Sequence, residues 1–271
     1  MSYALIETSD ISAAPVELYE ITYGSTSWRY TSGDVPVVYN LHTYEPLALY
    51  RSALRPAVTK EKADLTLNLP VTAPVGQVFL AAPPSEIVLL TVYRQHRTDV
   101  DLQTMVVWMG RILNAKYDEY EIEFLCESIM SSMQRSVLTR TYQKGCPHVL
   151  YGAGCNLNAE DFKIVTTVNS VSGVTVNVPA ALANGYLNGG FIEYSDAITN
   201  NTERRFVVSN TAGAITLGAT ADGLVAGMSV KLYPGCAHTM SACKNKFNNL
   251  LNYGGQPWIP SQNPFGNAPI Y

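Results

Sequence analysis

Short stretches in which apolar and polar residues alternate dominate the chain. In ADLTLNL (63–69) Leu65, Leu67 and Leu69 alternate with Asp64, Thr66 and Asn68, the period of two that turns one side of a strand toward a core. YEIEFLCE (120–127) repeats the pattern, with Tyr120, Ile122, Phe124 and Cys126 on one face and Glu121, Glu123 and Glu127 on the other. The β-branched runs of KIVTTVNSVSGVTVNV (163–178) predict a hairpin turning near Ser172 and Gly173. RRFVVSN (204–210), GAITLG (213–218) and MSVKLYPG (228–235) add short strands between Gly and Asn turns. Helical spacing is confined to two places. One is SIMSSMQRSVL (128–138); the other is MSACKNKFNNLLNYGG (240–255), where Cys243, Phe247, Leu250 and Leu251 share a face and Gly254 and Gly255 supply a stop. In the tail that follows, Pro257, Pro260, Pro264 and Pro269 exclude a regular element, so it is expected to lie along another surface.

These elements make the chain mostly β, with a few short helices. Its 271 residues suffice for two domains. The break falls after the 128–138 helix, giving a β-domain over residues 1–143 and a second β-rich domain over 144–271, each barrel-like or sandwich-like. Only 15% of residues are charged, against about a quarter in ordinary domains, and 17 tyrosines take up part of the polar role. Such a surface is cheap to desolvate against other subunits. The net charge of −4 and the lack of any Lys/Arg run argue against nucleic-acid binding. No apolar stretch is long enough to span a bilayer, and the N-terminus lacks a signal-peptide pattern. A reducing cytoplasm is therefore expected during folding, where structural disulfides are disfavoured.

That expectation bears on the cysteines. Cys126 belongs to an apolar strand face and reads as a core residue. The other four come in pairs: Cys146 and Cys155 in GCPHVLYGAGC, Cys236 and Cys243 in GCAHTMSAC. Gly145, Gly154 and Gly235 each precede a cysteine, which lets backbone approach a bulky sulfur-bound centre. Four thiolates converging on one point imply zinc or an iron–sulfur cluster. Zinc knuckles use gaps of about two to four residues; here the gaps are eight and six, which suits a larger body without excluding zinc. His148 and His238 follow their cysteines by two positions and could each replace a thiolate on zinc. Two disulfides are the remaining reading.

The residues of the second half resemble those of the hub or tail-tip proteins of long-tailed bacteriophages, the family that includes the lambda tail-tip protein L and the gene transfer agent hub. The resemblance rests on CPHVLYGAGC (146–155), CAHTMSAC (236–243) and KFNNLLNYGGQPWIP (246–260), and more loosely on WRYTSGD (28–34) and Tyr44, Glu45 and Pro46. One departure is Gln256, where relatives often carry an aromatic. The resemblance implies a [4Fe–4S] cluster on Cys146, Cys155, Cys236 and Cys243, and a homotrimeric ring at the virion tail tip, assembled in the host bacterial cytoplasm. It implies as partners the distal tail ring protein and a separate central tip or fibre protein, together with the tape-measure protein and tail peptidase. Asn248, Asn249 and Asn252 are then expected to cap the loop around the cluster, Tyr253 and Trp258 to shield its sulfurs, and Gly254 and Gly255 to turn the chain beside it.

Two other functions compete. A tail-borne cysteine peptidase acting on the cell wall needs a thiol nucleophile with a His base, and His42, His96, His148 and His238 show no supporting Asp or Asn pattern. A zinc-stabilised assembly protein needs only the four thiols. The reading adopted is a structural protein without catalytic residues.

Overall fold

The structure is a computed structural model that describes residues 3–9, 13–54, 64–80, 82–134, 142–197 and 199–260. The chain is mostly β and divides into two compact units, residues 1–135 with 198–203, and residues 136–197 with 204–271.

The first unit holds nine strands: β1 (Pro15–Tyr23), β2 (Thr26–Thr31), β3 (Val37–Tyr39), β4 (His42–Pro46), β5 (Tyr50–Arg51), β6 (Leu65–Pro70), β7 (Val88–His96), β8 (Thr104–Tyr117) and β9 (Glu121–Ser128). They form one sheet in the order β3-β4-β2-β1-β7-β8-β9-β6-β5. Alternation decides which face is buried. Leu65, Leu67 and Leu69 of β6 pack beside Ile122, Phe124 and Cys126 of β9 and Leu90 and Val92 of β7 in one core, as the period of two requires. Tyr120 departs from the expectation: it precedes β9 and stands 72% exposed. Of the expected 128–138 helix, Ser128 ends β9, Ile129–Gln134 form a 3₁₀ turn, and residues 135–138 lie outside the described residues. Asn201 completes this unit by donating its side-chain N–H to the Tyr23 carbonyl, while the buried Tyr23 hydroxyl donates to Glu203.

The second unit holds β10 (Ile164–Thr167), β11 (Ser170–Ser172), β12 (Thr175–Asn177), β13 (Phe191–Ser195), β14 (Thr202–Thr211), β15 (Ala214–Leu217) and β16 (Ser229–Tyr233), ordered β10-β16-β13-β14-β15-β12-β11. The edge strands β10 and β11 are separated only by Val168 and Asn169. The sheet must therefore curl until its edges meet at that corner. The expected 163–178 hairpin is in fact shorter. β11 turns into β12 at Gly173, whose φ of +57° suits glycine, whereas β10 pairs with β16 far along the chain. The β-branched run before Val168 thus belongs to a different ladder from the one after it. Val176, Ile192, Val207, Ile215, Val230 and Leu232 form the core.

The antiparallel β10–β16 pair positions the cysteines. Ile164 faces Leu232, so the chain entering β10 and the chain leaving β16 stand at the same end of neighbouring strands. The first carries Cys146 and Cys155; the second carries Cys236 and Cys243.

Candidate four-cysteine site

Apart from one short helix at Cys243, both cysteine segments are irregular, and specific hydrogen bonds tie them together. The Cys146 N–H donates to the His238 carbonyl at 2.8 Å, and His238 Nδ1 lies 3.0 Å from the Cys146 carbonyl. A carbonyl only accepts, so Nδ1 carries the proton. The Asn249 side-chain N–H donates to the Cys155 carbonyl at 2.6 Å and reaches Cys155 Sγ at 3.7 Å. The Asn249 backbone N–H donates to the Cys243 carbonyl at 2.9 Å. Asn252 in turn donates to Asn249 Oδ1, fixing the orientation of the amide. The helix α1 (Tyr3–Glu7) belongs to the first unit; the one here is α2 (Met240–Asn245), a single capped turn. Thr239 caps it by accepting from the Ala242 N–H, and Cys243 points inward from its last turn.

Cys146, Cys155, Cys236 and Cys243 all line one small cavity of about 10 Å³, together with His148, His238, Leu150, Leu157 and Phe247. All five cysteines carry free thiols. Three of the four sulfurs accept an N–H: Cys146 from Gly254 at 3.5 Å, Cys236 from His238 at 3.3 Å, and Cys155 from Asn249. Donors of this kind favour the thiolate form. Cys243 instead donates its S–H to the Asn249 carbonyl at 3.1 Å. Burial pushes the Cys243 thiol up, and the charges of Cys236, Cys146 and Cys155 push it further. A cationic centre among the four sulfurs would relieve the repulsion that Cys243 feels. Among the described residues, no three His, Cys, Asp or Glu side chains are gathered so as to hold a single metal ion.

Aromatic packing floors the site. Tyr151 meets Phe162, Phe191, Tyr233 and Phe247 edge-on or tilted, with ring centroids 6.3–6.4 Å apart, and its hydroxyl donates to the Pro234 carbonyl. Lys246 lies over the Tyr186 ring at 4.5 Å and donates to the Gly235 and Tyr186 carbonyls. Burial lowers its pKa, and the Cys236 charge opposes that fall. Lys246 and Phe247 are visible in the sequence only as members of a helical run. Their role depends on the side of that turn facing β16.

Other expectations fare differently. Trp258 is 87% exposed and lines no part of the cavity; Phe247, Leu150 and Leu157 cover the sulfurs instead. Tyr253 does stand near the thiols: its hydroxyl donates to the Lys144 carbonyl, and burial followed by the charges of Cys146, Cys243 and Cys236 pushes its pKa up. Asn248 is exposed, with φ at +47°. Two of the glycines before the cysteines are required by close-packed groups, whereas a Cβ at Gly145 would make only ordinary contact. A Cβ at Gly235 would meet the Asn188 carbonyl at 2.0 Å, and one at Gly154 would meet the His148 ring. Cys126 is 1% exposed, and burial pushes its thiol up to about 12, the opposite of an activated nucleophile.

Comparison with known proteins agrees with this architecture. Residues 16–158 match the family described as "Baseplate hub protein, N-terminal attachment domain", and residues 185–263 match "Phage conserved hypothetical protein BR0599". An uncharacterized protein of Xylella fastidiosa (strain 9a5c) is 23% identical over 193 residues, covering 66% of this chain and 40% of that relative. The chain thus spans about two-fifths of the curated relative it matches. A chain from the virion of a native gene transfer agent particle shares the fold, with a TM-score of 0.81 at 16% identity over 99% of this chain and 96% of the other. The first family match covers just over half of the sequence, and the chain belongs to the phage baseplate hub proteins, structural components of the virion tail.

Proposed function

We propose that this chain is the hub-ring subunit of a phage-type tail tip: a homotrimer joining the distal tail ring to the central tip or fibre protein, with a [4Fe–4S] cluster on Cys146, Cys155, Cys236 and Cys243. One observation carries the cofactor reading. Two segments some 80 residues apart in sequence bring four thiols to a single cavity, and three of those sulfurs accept N–H donors. The gaps of eight and six residues within the two pairs, wider than those of zinc knuckles, favour a cluster over a lone zinc ion. Bound there, the cluster supplies Fe–S bonds that cross-link the entry to β10 with the exit from β16. Asn249 and His238 hold the backbone of the two segments in register. Leu150, Leu157 and Phe247 exclude water from the sulfurs. Closing so long a loop stabilises the second unit by restricting its unfolded ensemble.

The ring reading is supported by family membership, by the fold shared with a virion protein and by the low content of charge. Native mass spectrometry of anaerobically purified protein tests both parts together. Three copies, each heavier than the polypeptide by one cluster, are expected. A monomer overturns the ring, and a mass equal to the bare polypeptide overturns the cluster.

A further inference from the structure

His148 stands between two glycine segments that each serve a different cysteine. A Cβ placed on Gly154 would fall 2.1 Å from the His148 Nδ1 and 2.7 Å from its Cε1; one on Gly254 would fall 2.2 Å from Nε2 and 2.6 Å from Cδ2. Two edges of a single imidazole therefore press on two glycine backbones. Neither glycine has a positive φ, so their backbones accommodate any residue. It is the ring that excludes a side chain at both positions. Gly154 leads directly into Cys155, and the Gly254 N–H donates to Cys146 Sγ. The same ring lines both the four-cysteine cavity and an open groove outside it, where Tyr151, Phe191 and Phe206 also lie.

We propose that His148 is the positioning residue of the four-cysteine site, a wedge that seats the Gly154 and Gly254 backbones and walls the sulfurs off from the outer groove. The proposal rests on reading the four cysteines as a cofactor site, and it assigns His148 a role of shape rather than of ligation. In this chain the histidine of the Cys-Pro-His stretch fills the space that the first glycine of the Gly-Gly stretch leaves. Close packing makes such a fit unforgiving, because a Cβ within about 2 Å of a ring atom forces the ring or the backbone beside it to move.

The test is a set of coupled substitutions in the full chain, purified anaerobically: H148A, G154A, G254A, and the pairs G154A/H148A and G254A/H148A. The rate of maleimide labelling at each cysteine is followed by mass spectrometry, with iron per chain measured alongside. H148A is expected to raise labelling of Cys146 and Cys155 several-fold and to leave Cys126 unlabelled. Each glycine variant is expected to raise labelling too, and each pair to be no worse than H148A alone, since the clash is gone. Effects that multiply in the pairs, or an H148A protein labelled at the parental rate, overturn the wedge. Should G154A fail to fold, recovery of folded protein in G154A/H148A supports the wedge and continued failure overturns it. Iron separates the two readings. A chain without iron whose pairs still behave non-additively loses the cluster and keeps the wedge; a chain with iron whose effects multiply keeps the cluster and loses the wedge.

Discussion

His238 and Cys146, 92 positions apart, hold each other by two hydrogen bonds: the Cys146 N–H donates to the His238 carbonyl, and His238 Nδ1–H donates back to the Cys146 carbonyl. This reciprocal pair joins the two cysteine segments without any sulfur taking part. It also needs an unusual backbone, because His238 has φ of +57°, a region that asparagine tolerates better than most residues.

H238A is therefore expected to destabilise the second unit by about 1–2 kcal/mol through the lost side-chain donor and the backbone preference together. H238N keeps a short donor and tolerates the backbone, so it is expected to lose less. Thermal unfolding of the three proteins followed by circular dichroism gives the order parent, H238N, H238A. An H238A protein as stable as the parent contradicts the role of the pair.

Asn249 bridges Cys155 and Cys243 and is itself oriented by Asn252. Removing its amide in N249A leaves the half-buried Cys155 carbonyl without that donor, at a cost of about 1 kcal/mol. N249D is expected to be worse than N249A, since a carboxylate would face both a carbonyl and a sulfur. Urea unfolding of the two variants decides the order.

Acid is expected to weaken both units through partnered glutamates. Burial pushes Glu17 up, but hydrogen bonds from Arg51, Tyr19 and Arg94 outweigh it and hold the carboxyl below the usual range. Burial acts on Glu193 in the same way, and Lys231 and Arg204 reverse it. A carboxyl whose folded pKa is depressed contributes stability that is complete above its unfolded value, about 4.3, and is lost as pH falls through the folded pKa. Urea midpoints should be flat near neutrality and decline below about pH 4.5. E17Q and E193Q should each lower the neutral midpoint and flatten the decline. A decline as steep in both variants as in the parent contradicts this assignment.

The strand faces were legible because burial on one side of a sheet leaves a period of two in the sequence, as Leu65, Leu67 and Leu69 show against Ile122 and Phe124. The grouping of Cys146, Cys155, Cys236 and Cys243 was legible for a different reason: few residue types other than cysteine are so rarely placed at random. What escaped is non-local. The run around Ile164 looks like half of a hairpin, yet its partner is β16, because curling the sheet brings the two ends of the second unit together. Trp258 reads as a shield by its size, whereas the cover comes from Phe247, which sits on the turn that already buries Cys243. Gly154 reads as room for a sulfur-bound centre and Gly254 as a turn residue. Neither has a turn-like positive φ, and the reason for both is the ring of His148, which no spacing in the chain reveals.

The most direct measurement is iron, acid-labile sulfide and zinc per chain on protein made with the host's cluster machinery and purified anaerobically, for the parent and for single Cys→Ser variants. About four irons and four sulfides per chain, little zinc, and a sharp loss of iron in C146S, C155S, C236S and C243S but not in C126S, are the results expected for a [4Fe–4S] cluster on these four thiols. One zinc per chain without iron, or iron that survives in all four variants, contradicts it.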